Sequence, residues 1–263
     1  EFKKIDVIVI DHHLGEIELP HVHSIINPNR FDDKSDYKQM AAVGVTFLFL
    51  MSLRKELRIQ KIFNNKKEPN LLSYLDLVAL GTVCDVVELK QFNRLFVSKG
   101  LELIHKRYHK GISKLIDNSK LNTPPSSQDL GYIVGPQINA ASRIDDSSLA
   151  SKLLITNDIE QIEKISRKLY LLNEKRKLIE SKILESANEQ AEFQKDSKYI
   201  LVYGENWHQG VLGIVASKLL DIYNKPVIVL SFLNTYGVGS ARSIDGIDLG
   251  KIILHAKNKG IIS

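Results

Sequence analysis

Short β-branched runs and longer stretches with helical spacing alternate along the chain. The first run, Ile5 to Ile10, is apolar except for Asp6 and is typical of a strand buried on both faces of a largely parallel sheet. Further strands are predicted over 199–203, 226–232 and 236–240. Because helical stretches separate several of these runs, we expect an α/β fold.

Apolar positions three or four residues apart predict the helices. The predicted helices cover residues 39–57, 70–80, 91–108, 210–223 and a stretch that begins near 249. The first of them is apolar nearly all round, which predicts that it is buried. Gly81 is predicted to end the second, because glycine often follows the last helical residue.

One helical pattern is much longer than the others and extends from Asn157 to about Phe193. Asn157 and Glu160 have the spacing of a capping box at its start. At 1.5 Å per residue, a single helix of this kind would reach roughly 50 Å and would suit a connector between two lobes. A helical hairpin broken near Asn173 is the alternative, because helices of that length are uncommon.

Composition restricts the functional classes. The 263 residues include one cysteine, Cys84, which excludes an internal disulfide framework and favours a reducing, cytoplasmic compartment. The longest apolar run, 40–51, falls short of the ~20 residues that cross a bilayer, so we expect no membrane association. The net charge of +5 permits a nucleic-acid partner. Methionine occurs at positions 40 and 51 and the chain opens on a strand, so we interpret it as a fragment.

Polar side chains that suit metal-dependent phosphate chemistry follow the first strand. Asp11, His12 and His13 come directly after it, and ligands of open α/β sheets bind beyond the carboxyl ends of the strands. Asp85 lies in an apolar run and, if buried, must be paired, hydrogen-bonded or metal-bound. Carboxylate with imidazole is the ligand set of manganese or magnesium. A solvated histidine pair and a capping or salt-bridging aspartate are the alternatives.

Two segments place an arginine among small residues, which is typical of anion capture. Asn139 and Arg143 lie in the stretch 135–146, which is too rich in small and polar residues to be core. Ser240 and Arg242 lie together at the end of a predicted strand. Small neighbours let a phosphate approach both the guanidinium group and main-chain N–H groups.

Other polar positions are open to two interpretations. His208 belongs to the turn before a predicted helix, and helix N-termini bind phosphate, but the turn also suits a simple strand-to-helix connection. Arg143 can pair with an aspartate that follows it instead of binding phosphate. We interpret Lys175–Lys177 as a solvated face of the long helix, and Asn27–Arg30 as a turn.

Six motifs in one order resemble those of the RecJ family of nucleases, within the DHH phosphoesterase superfamily. The motifs are IDHH, NPNR, LVALGTVCDVVEL, GPQINAASRIDD, WHQGVLGIVASKL and GVGSARS, and they span nearly the whole chain. The Asp-His-His triplet is shared by all DHH phosphoesterases, whereas the later motifs in this order are specific to the RecJ family. Gln137 and Ser142 replace the family's Arg and Gly, which implies one missing cation and a tighter turn.

The resemblance implies an architecture and an activity. The architecture is the C-terminal part of a DHH-type parallel-sheet catalytic domain over 1–156, a connecting helix over 157–195 and a small α/β DHH-associated lobe over 196–263. The activity is 5′-to-3′ degradation of single-stranded DNA in repair and recombination, with two Mn²⁺ or Mg²⁺ ions, and with a helicase and a single-strand binding protein as further partners. The family's first aspartate motifs are expected upstream of residue 1, so we expect this fragment alone to be inactive.

The resemblance also implies roles for single residues. His12 would ligate metal and His13 would face the scissile phosphate, with Asp11 supporting the pair. Asp85 would be a second metal ligand. The candidate phosphate-binding residues are Asn139, Arg143, His208, Ser240 and Arg242.

Two rival functions are weighed against this one. The first is a phosphodiesterase of short oligonucleotides or cyclic dinucleotides, and the long helix and the two arginine segments argue against it. The second is a non-catalytic relative that binds single-stranded DNA. Retention of the Asp-His-His triplet and of Asp85 argues against loss of catalysis.

Overall fold

A computed structural model of the protein describes residues 5–15, 18–121, 123–234 and 236–261. The chain divides into two compact units. The first unit comprises the residues up to Gln137 and Lys152–Ser166, and the second comprises Ile138–Ser151 and the residues from Arg167 onward. Both units contain strands and helices, which confirms the α/β class. No helix in the described part of the chain is long and apolar enough to cross a membrane.

The first unit combines a short parallel strand pair with a set of helices. Strand β1 (Ile8–Ile10) pairs in parallel with β2 (Ser24–Ile26), and Ile10 lies opposite Ile26. The helices that follow are α1 (Ala42–Ile59), α2 (Leu75–Cys84), α3 (Gln91–His105), α4 (Lys110–Asn118) and α5 (Ser127–Asp129). Helices α6 (Gly135–Ile144) and α7 (Ser148–Ile155) each contribute residues to both units. The shorter helical turns are 3₁₀ at Ile62–Asn64 and Leu71–Tyr74 and π-helical at Leu130–Val134.

The core of the first unit holds the strand pair against the helices. Met40, Phe47 and Phe96 are buried in it, and the rings of Phe47 and Phe96 meet edge-on with centroids 5.2 Å apart. Ile10 and Ile26, the last residues of the two strands, pack against this cluster. Because the strands are parallel, their carboxyl ends emerge side by side, and the polar residues that follow them are brought together.

Strand β1 keeps apolar side chains on the surface. Ile5, just before the strand, is 68% exposed and Ile8 within it is 50% exposed. In the described part of the chain β1 pairs with β2 in a two-stranded sheet, so few neighbouring side chains cover it. The pattern is typical of a strand buried on both faces, whereas in this chain the apolar run lies partly in solvent.

Two helices differ from their predictions. Helix α1 buries one side, so that Phe47 is buried while Met51 is 42% exposed, and the prediction of burial all round is wrong. Helix α2 continues through Gly81, where it was predicted to end. A Cβ atom at Gly81 would lie 2.8 Å from Cγ1 of Val43, so this glycine is needed for close packing on α1 and does not terminate the helix.

The second unit is a three-stranded sheet packed against helices. Strand β3 (Ile200–Glu205) pairs in parallel with β4 (Val227–Leu233), which pairs antiparallel with β5 (Tyr236–Arg242). The remaining helices are α8 (Ile159–Glu192), whose residues up to Ser166 belong to the first unit, α9 (Gln209–Tyr223) and α10 (Leu249–Asn258). The three strands and α9 agree with their predictions to within two residues at each end. Their core includes Ile183, Ala187, Val202, Val211, Val215 and Val229.

Helix α8 is one continuous helix of 34 residues, so the prediction of a single helix is confirmed and the hairpin alternative is excluded. Its first turn is capped by Asp158, whose carboxylate accepts the N–H groups of Glu160 at 2.9 Å and Gln161 at 3.3 Å. The predicted capping box at Asn157 is therefore displaced by one residue. An aspartate is as good a cap as an asparagine, so the spacing alone did not decide between them.

The stretch 135–146 is largely helical, and part of it is core, contrary to its prediction. Ala140 and Ala141 of helix α6 have no exposed surface. Gln137 is 2% exposed, and its amide donates to Oγ of Ser119 at 2.8 Å. The small residues of this motif thus allow close packing of a helix, and the glutamine that replaces the family's arginine is held inside the first unit.

Helix α2 carries a buried carboxylate that the sequence did not single out. Asp76 has no exposed surface, its Oδ1 accepts the N–H of Leu77 at 2.7 Å, and its Oδ2 has no hydrogen-bond partner. Burial raises the pKa of this carboxyl, and the hydrogen bond from the N–H of Leu77 and the nearby His109 only partly oppose the rise. Ionisation of Asp76 therefore destabilises the folded state.

We expect the stability of Asp76→Asn relative to the wild type to rise by about 1–3 kcal/mol between pH 4 and pH 8, because the variant has no buried charge to form, whereas its unpartnered amide costs the same at every pH. As the pH rises through the raised pKa, the folded wild type must lose a proton that the unfolded chain has already lost, so its stability falls. The gain should shrink as the pH approaches 4, and chemical denaturation at several pH values measures it. Asp117→Asn, which alters an exposed ion-paired carboxylate, is the control. Equal stability of Asp76→Asn and wild type at every pH would contradict this account.

Candidate metal and phosphate sites

Asp11 organises the turn that follows strand β1. Its Oδ1 accepts the N–H of His12 at 2.7 Å and the N–H of His13 at 3.3 Å, and it lies 2.7 Å from Nδ1 of His13. Burial alone would raise the pKa of Asp11, but the hydrogen bonds from the ring of His13 and from the two N–H groups outweigh it and lower the pKa. The aspartate is therefore an ionised acceptor, which keeps a proton on Nδ1 of His13.

The main-chain carbonyls of the same two histidines accept hydrogen bonds from two asparagines that follow strand β2. Asn29 donates from Nδ2 to the carbonyl of His12 at 2.6 Å, and Asn27 donates from Nδ2 to the carbonyl of His13 at 2.8 Å. The segment Asn27–Arg30, which we interpreted as a turn, thus also contacts the Asp-His-His triplet directly. Asparagine immediately after a neighbouring parallel strand was the sequence signal for this contact.

His12 and Asp85 converge on one point. Nε2 of His12 lies 3.1 Å from Oδ2 of Asp85, and the His12 side chain is 16% exposed. Asp85 caps the C-terminus of α2, so this helix brings it to the carboxyl end of β1. Of the candidate residues in the first unit, His12 therefore meets Asp85, and His13 meets Asp11.

These donors fit a hard divalent cation. Two ligands at 2.0–2.1 Å in adjacent octahedral positions are about 3 Å apart, and the His12–Asp85 separation of 3.1 Å matches that value. Asp11, His12 and His13 also offer ligand atoms within 4.8 Å of one another. Oδ1 of Asp11 already accepts from three hydrogen-bond donors, which leaves His12 and Asp85 as the candidate pair for a cation.

Asp85 itself is less buried than its apolar sequence predicts. Its side chain is 36% exposed, and Val86 after it is 89% exposed. Val86 has φ +58°, a left-handed conformation that is strained for a β-branched residue, and the chain turns outward there. Cys84 on the other side is inert, because burial, with a smaller effect from Asp85, raises the pKa of its thiol to about 11.

In the second unit, Arg143 is fixed against the start of helix α9. Its Nη1 donates to the carbonyl of Gly210 at 2.9 Å. Burial lowers the pKa of Arg143, and the nearby Arg176 lowers it further, but a guanidinium remains charged at neutral pH. Asp145, a predicted alternative partner, pairs instead with Lys168 at 3.0 Å.

Arg242 and Ser240 lie on strand β5 and face helix α9. The guanidinium of Arg242 donates from Nε to Oγ of Ser217 at 3.2 Å and from Nη1 to Oγ of Ser240 at 3.3 Å. A Cβ atom at Gly213 would lie 3.1 Å from both Nη2 of Arg242 and Oγ of Ser240. The absence of a side chain at Gly213 therefore lets Arg242 and Ser240 lie close to helix α9.

The other two phosphate candidates differ in placement. His208 is the N-cap of α9, and its Nδ1 accepts the N–H of Gly210 at 3.2 Å. Asn139 is exposed on α6, and its carbonyl accepts Oγ of Ser142 at 3.0 Å. His208 shares Gly210 with Arg143, so these two are brought together, whereas the Asn139 side chain has no contact that joins it to them in the described residues.

A buried ion pair on helix α8 was missed by the sequence analysis. Arg176 is 9% exposed and pairs with Glu180, while its Nη2 donates to Oδ1 of Asn173 at 2.9 Å. Glu180 also accepts Lys218 of α9 at 2.6 Å. The interpretation of 175–177 as a solvated face is therefore wrong for Arg176. The signal was the spacing of Asn173, Arg176 and Glu180 on one helical face.

Two family models match the chain. Residues 1–82 match the DHH family, N-terminal domain, and residues 196–260 match the DHHA1 domain. The chain therefore carries a DHH domain and a DHHA1 domain.

The chain is similar to RecJ proteins among both curated relatives and solved structures. The chain is 38% identical to the single-stranded-DNA-specific exonuclease RecJ of Haemophilus influenzae, over 99% of this chain and 47% of that protein. It is 40% identical to the RecJ of Dickeya dadantii, over 93% of this chain and 44% of that protein. A crystal structure of RecJ in complex with Mn²⁺ from Thermus thermophilus aligns with TM-score 0.84 and 30% identity, over 98% of this chain and 37% of that one. The chain is thus a RecJ homologue that spans about half the length of its curated relatives.

We expect Gly210→Ala to separate helix α9 from Arg143. A Cβ atom at Gly210 would lie 2.2 Å from the main-chain oxygen of Arg143, so the variant should lose about 1–3 kcal/mol of stability through overpacking. Differential scanning fluorimetry measures the loss. Gly250→Ala, whose nearest atom is the movable carboxylate of Asp248 at 3.3 Å, should change the unfolding temperature little. Equal unfolding temperatures for the two variants would show that the contact is not needed.

Proposed function

We propose that the protein containing this chain is a divalent-metal-dependent exonuclease that degrades single-stranded DNA in the 5′-to-3′ direction, in repair and recombination. The observation that carries the proposal is the convergence of His12 and Asp85 beside the His13 ring held by Asp11. The relatives are single-stranded-DNA-specific exonucleases, which supports the substrate class.

In this proposal His12 and Asp85 are metal ligands. Mn²⁺ or Mg²⁺ at these donors would supply an activated water and neutralise charge on the reacting phosphate. The crystal structures of RecJ with Mn²⁺ and with Mg²⁺ support this choice of ion. A histidine nitrogen with a carboxylate oxygen also suits these ions better than a thiolate set would.

His13 and Asp11 have a separate role in the proposal. The His13 side chain is 77% exposed, and its Nδ1 is engaged by Asp11 at 2.7 Å. The other ring nitrogen, Nε2, is therefore the one that can reach a scissile phosphate. Asp11 fixes the ring orientation and the position of one proton, so we assign both residues to catalysis.

The arginine cluster of the second unit binds DNA phosphates in the proposal. Arg242 is exposed and lies beside the hydroxyl of Ser240, which suits an arriving phosphate. Arg143 is held by the Gly210 carbonyl and adds a second fixed guanidinium. Asn139 and His208 complete the candidate set, with His208 at a helix N-terminus.

The proposed organisation keeps a DHH catalytic domain over 1–156, a connecting helix over 157–195 and a DHH-associated lobe over 196–263. We place the protein in the cytoplasm with single-stranded DNA as its partner, and we add a helicase and a single-strand binding protein as further partners. Pull-down of these proteins on single-stranded DNA would test the last assignment.

In the intact protein that contains this chain, His12→Ala and Asp85→Ala should each lower Mn²⁺-dependent cleavage of single-stranded DNA by more than about 100-fold, because each removes a direct ligand. Release of nucleotides from end-labelled DNA measures the loss. His23→Ala is the matched control, since His23 faces Asp6 at 3.7 Å in an exposed pair that precedes the same two strands. Near-wild-type cleavage by either ligand variant would refute the assignment.

Arg242→Ala should weaken binding to 5′-phosphorylated single strands about 10-fold more than binding to 5′-hydroxyl strands, because a guanidinium fork recognises a terminal phosphate dianion. Fluorescence anisotropy at fixed salt measures both affinities. Lys251→Ala removes one exposed cation of the same unit and should affect both strands alike. An equal loss on both strands for Arg242→Ala would demote Arg242 to a general backbone contact.

A further inference from the structure

The main chain of His12 and His13 lies beyond the paired strands, and side chains satisfy it. Strand β1 ends at Ile10, so the N–H and C=O groups of the next residues need other partners. Asp11 accepts both N–H groups, at 2.7 Å and 3.3 Å. Asn29 and Asn27 donate to the two carbonyls at 2.6 Å and 2.8 Å. The peptide planes that carry the two imidazoles are therefore held from both sides.

The two asparagines are themselves fixed. Asn27 is 7% exposed, and its Oδ1 accepts the N–H of Asn29 at 2.8 Å while its Nδ2 donates to His13. Both ends of this amide are thus used, and a flipped amide would face oxygen with oxygen. Asn29 donates from Nδ2 to the carbonyl of Lys38 at 2.9 Å as well as to His12. The pair therefore ties the histidine turn to β2 and to the loop after it.

We propose that Asn27 and Asn29 are positioning residues of the metal site. They hold the backbone of His12 and His13 so that Nε2 of His12 stays opposite Oδ2 of Asp85, 3.1 Å away. The inference rests on the metal site of the proposed function and adds the residues that orient it. Partners outside the ligand shell that orient a histidine ligand typically contribute 10–100-fold to metal affinity.

Asn29→Asp is the decisive variant, because it keeps the shape of the side chain and replaces a donor with an acceptor. It places an oxygen against the His12 carbonyl and adds a negative charge near the cation. A purely electrostatic effect would tighten Mn²⁺ binding, whereas lost positioning weakens it. We expect the dissociation constant of Mn²⁺ in the intact protein, measured by electron paramagnetic resonance titration, to rise about 10–100-fold.

Arg30→Ala is the matched control. Arg30 is the next residue, donates to the main-chain carbonyl of Ile25 at 2.7 Å and pairs with Asp32, so its loss also removes a backbone contact and also changes the net charge by −1. This variant should bind Mn²⁺ as the wild type does. Equal weakening in Asn29→Asp and Arg30→Ala would overturn the proposal, because it would trace the effect to the loop or to charge.

A second variant covers the case in which Asn29→Asp does not fold, as judged by circular dichroism. Asn27→Asp keeps the acceptor for the N–H of Asn29 and loses only the donor to His13, and it should weaken Mn²⁺ binding in the same range. Unchanged Mn²⁺ affinity in a folded Asn29→Asp or Asn27→Asp variant would overturn the inference while leaving the metal site intact. A wild type that binds no Mn²⁺ would instead overturn the proposed function, and the inference with it.

Discussion

The candidate metal site depends on how the chain satisfies its main-chain polar groups after strand β1. Two strands of three residues each cannot hold the residues beyond them through ladder hydrogen bonds. The chain uses carboxylate and amide side chains instead, with Asp11 as the acceptor and the two asparagines as donors. Because those asparagines follow β2, the parallel register of the strands decides which carbonyl each one can reach.

Helix α2 supplies the other half of that site. It ends in Asp85, and its middle packs closely on α1 because Gly81 has no side chain to oppose Val43. Packing that looks remote from the chemistry therefore sets where the carboxylate lies. The strained turn at Val86 also affects where the Asp85 carboxylate lies, because the chain leaves the helix directly after this candidate ligand.

The two units carry complementary chemistry. The first offers imidazole and carboxylate groups, which suit a divalent cation. The second offers Arg143 and Arg242, with glycines and hydroxyls beside them, which suits an anion. Glycine serves a different purpose at each of these places. At Gly210 it permits close contact of main chains, and at Gly213 it permits close approach of the Arg242 and Ser240 side chains.

The sequence by itself determined the elements whose pattern is regular and the residues whose chemistry is unusual. The spacing of apolar residues predicted α8 as one helix and the strands of the second unit, because amphipathic periodicity is a local property. The motifs supplied His12, His13 and Asp85. The tertiary structure alone decided that Ala140 and Arg176 are buried and that Asp85 is partly exposed. It also decided that Asn27 and Asn29, which the sequence predicts only as part of a turn, donate hydrogen bonds to the carbonyls of the two histidines. Burial and side-chain partners depend on which distant segments meet, and no local pattern records that.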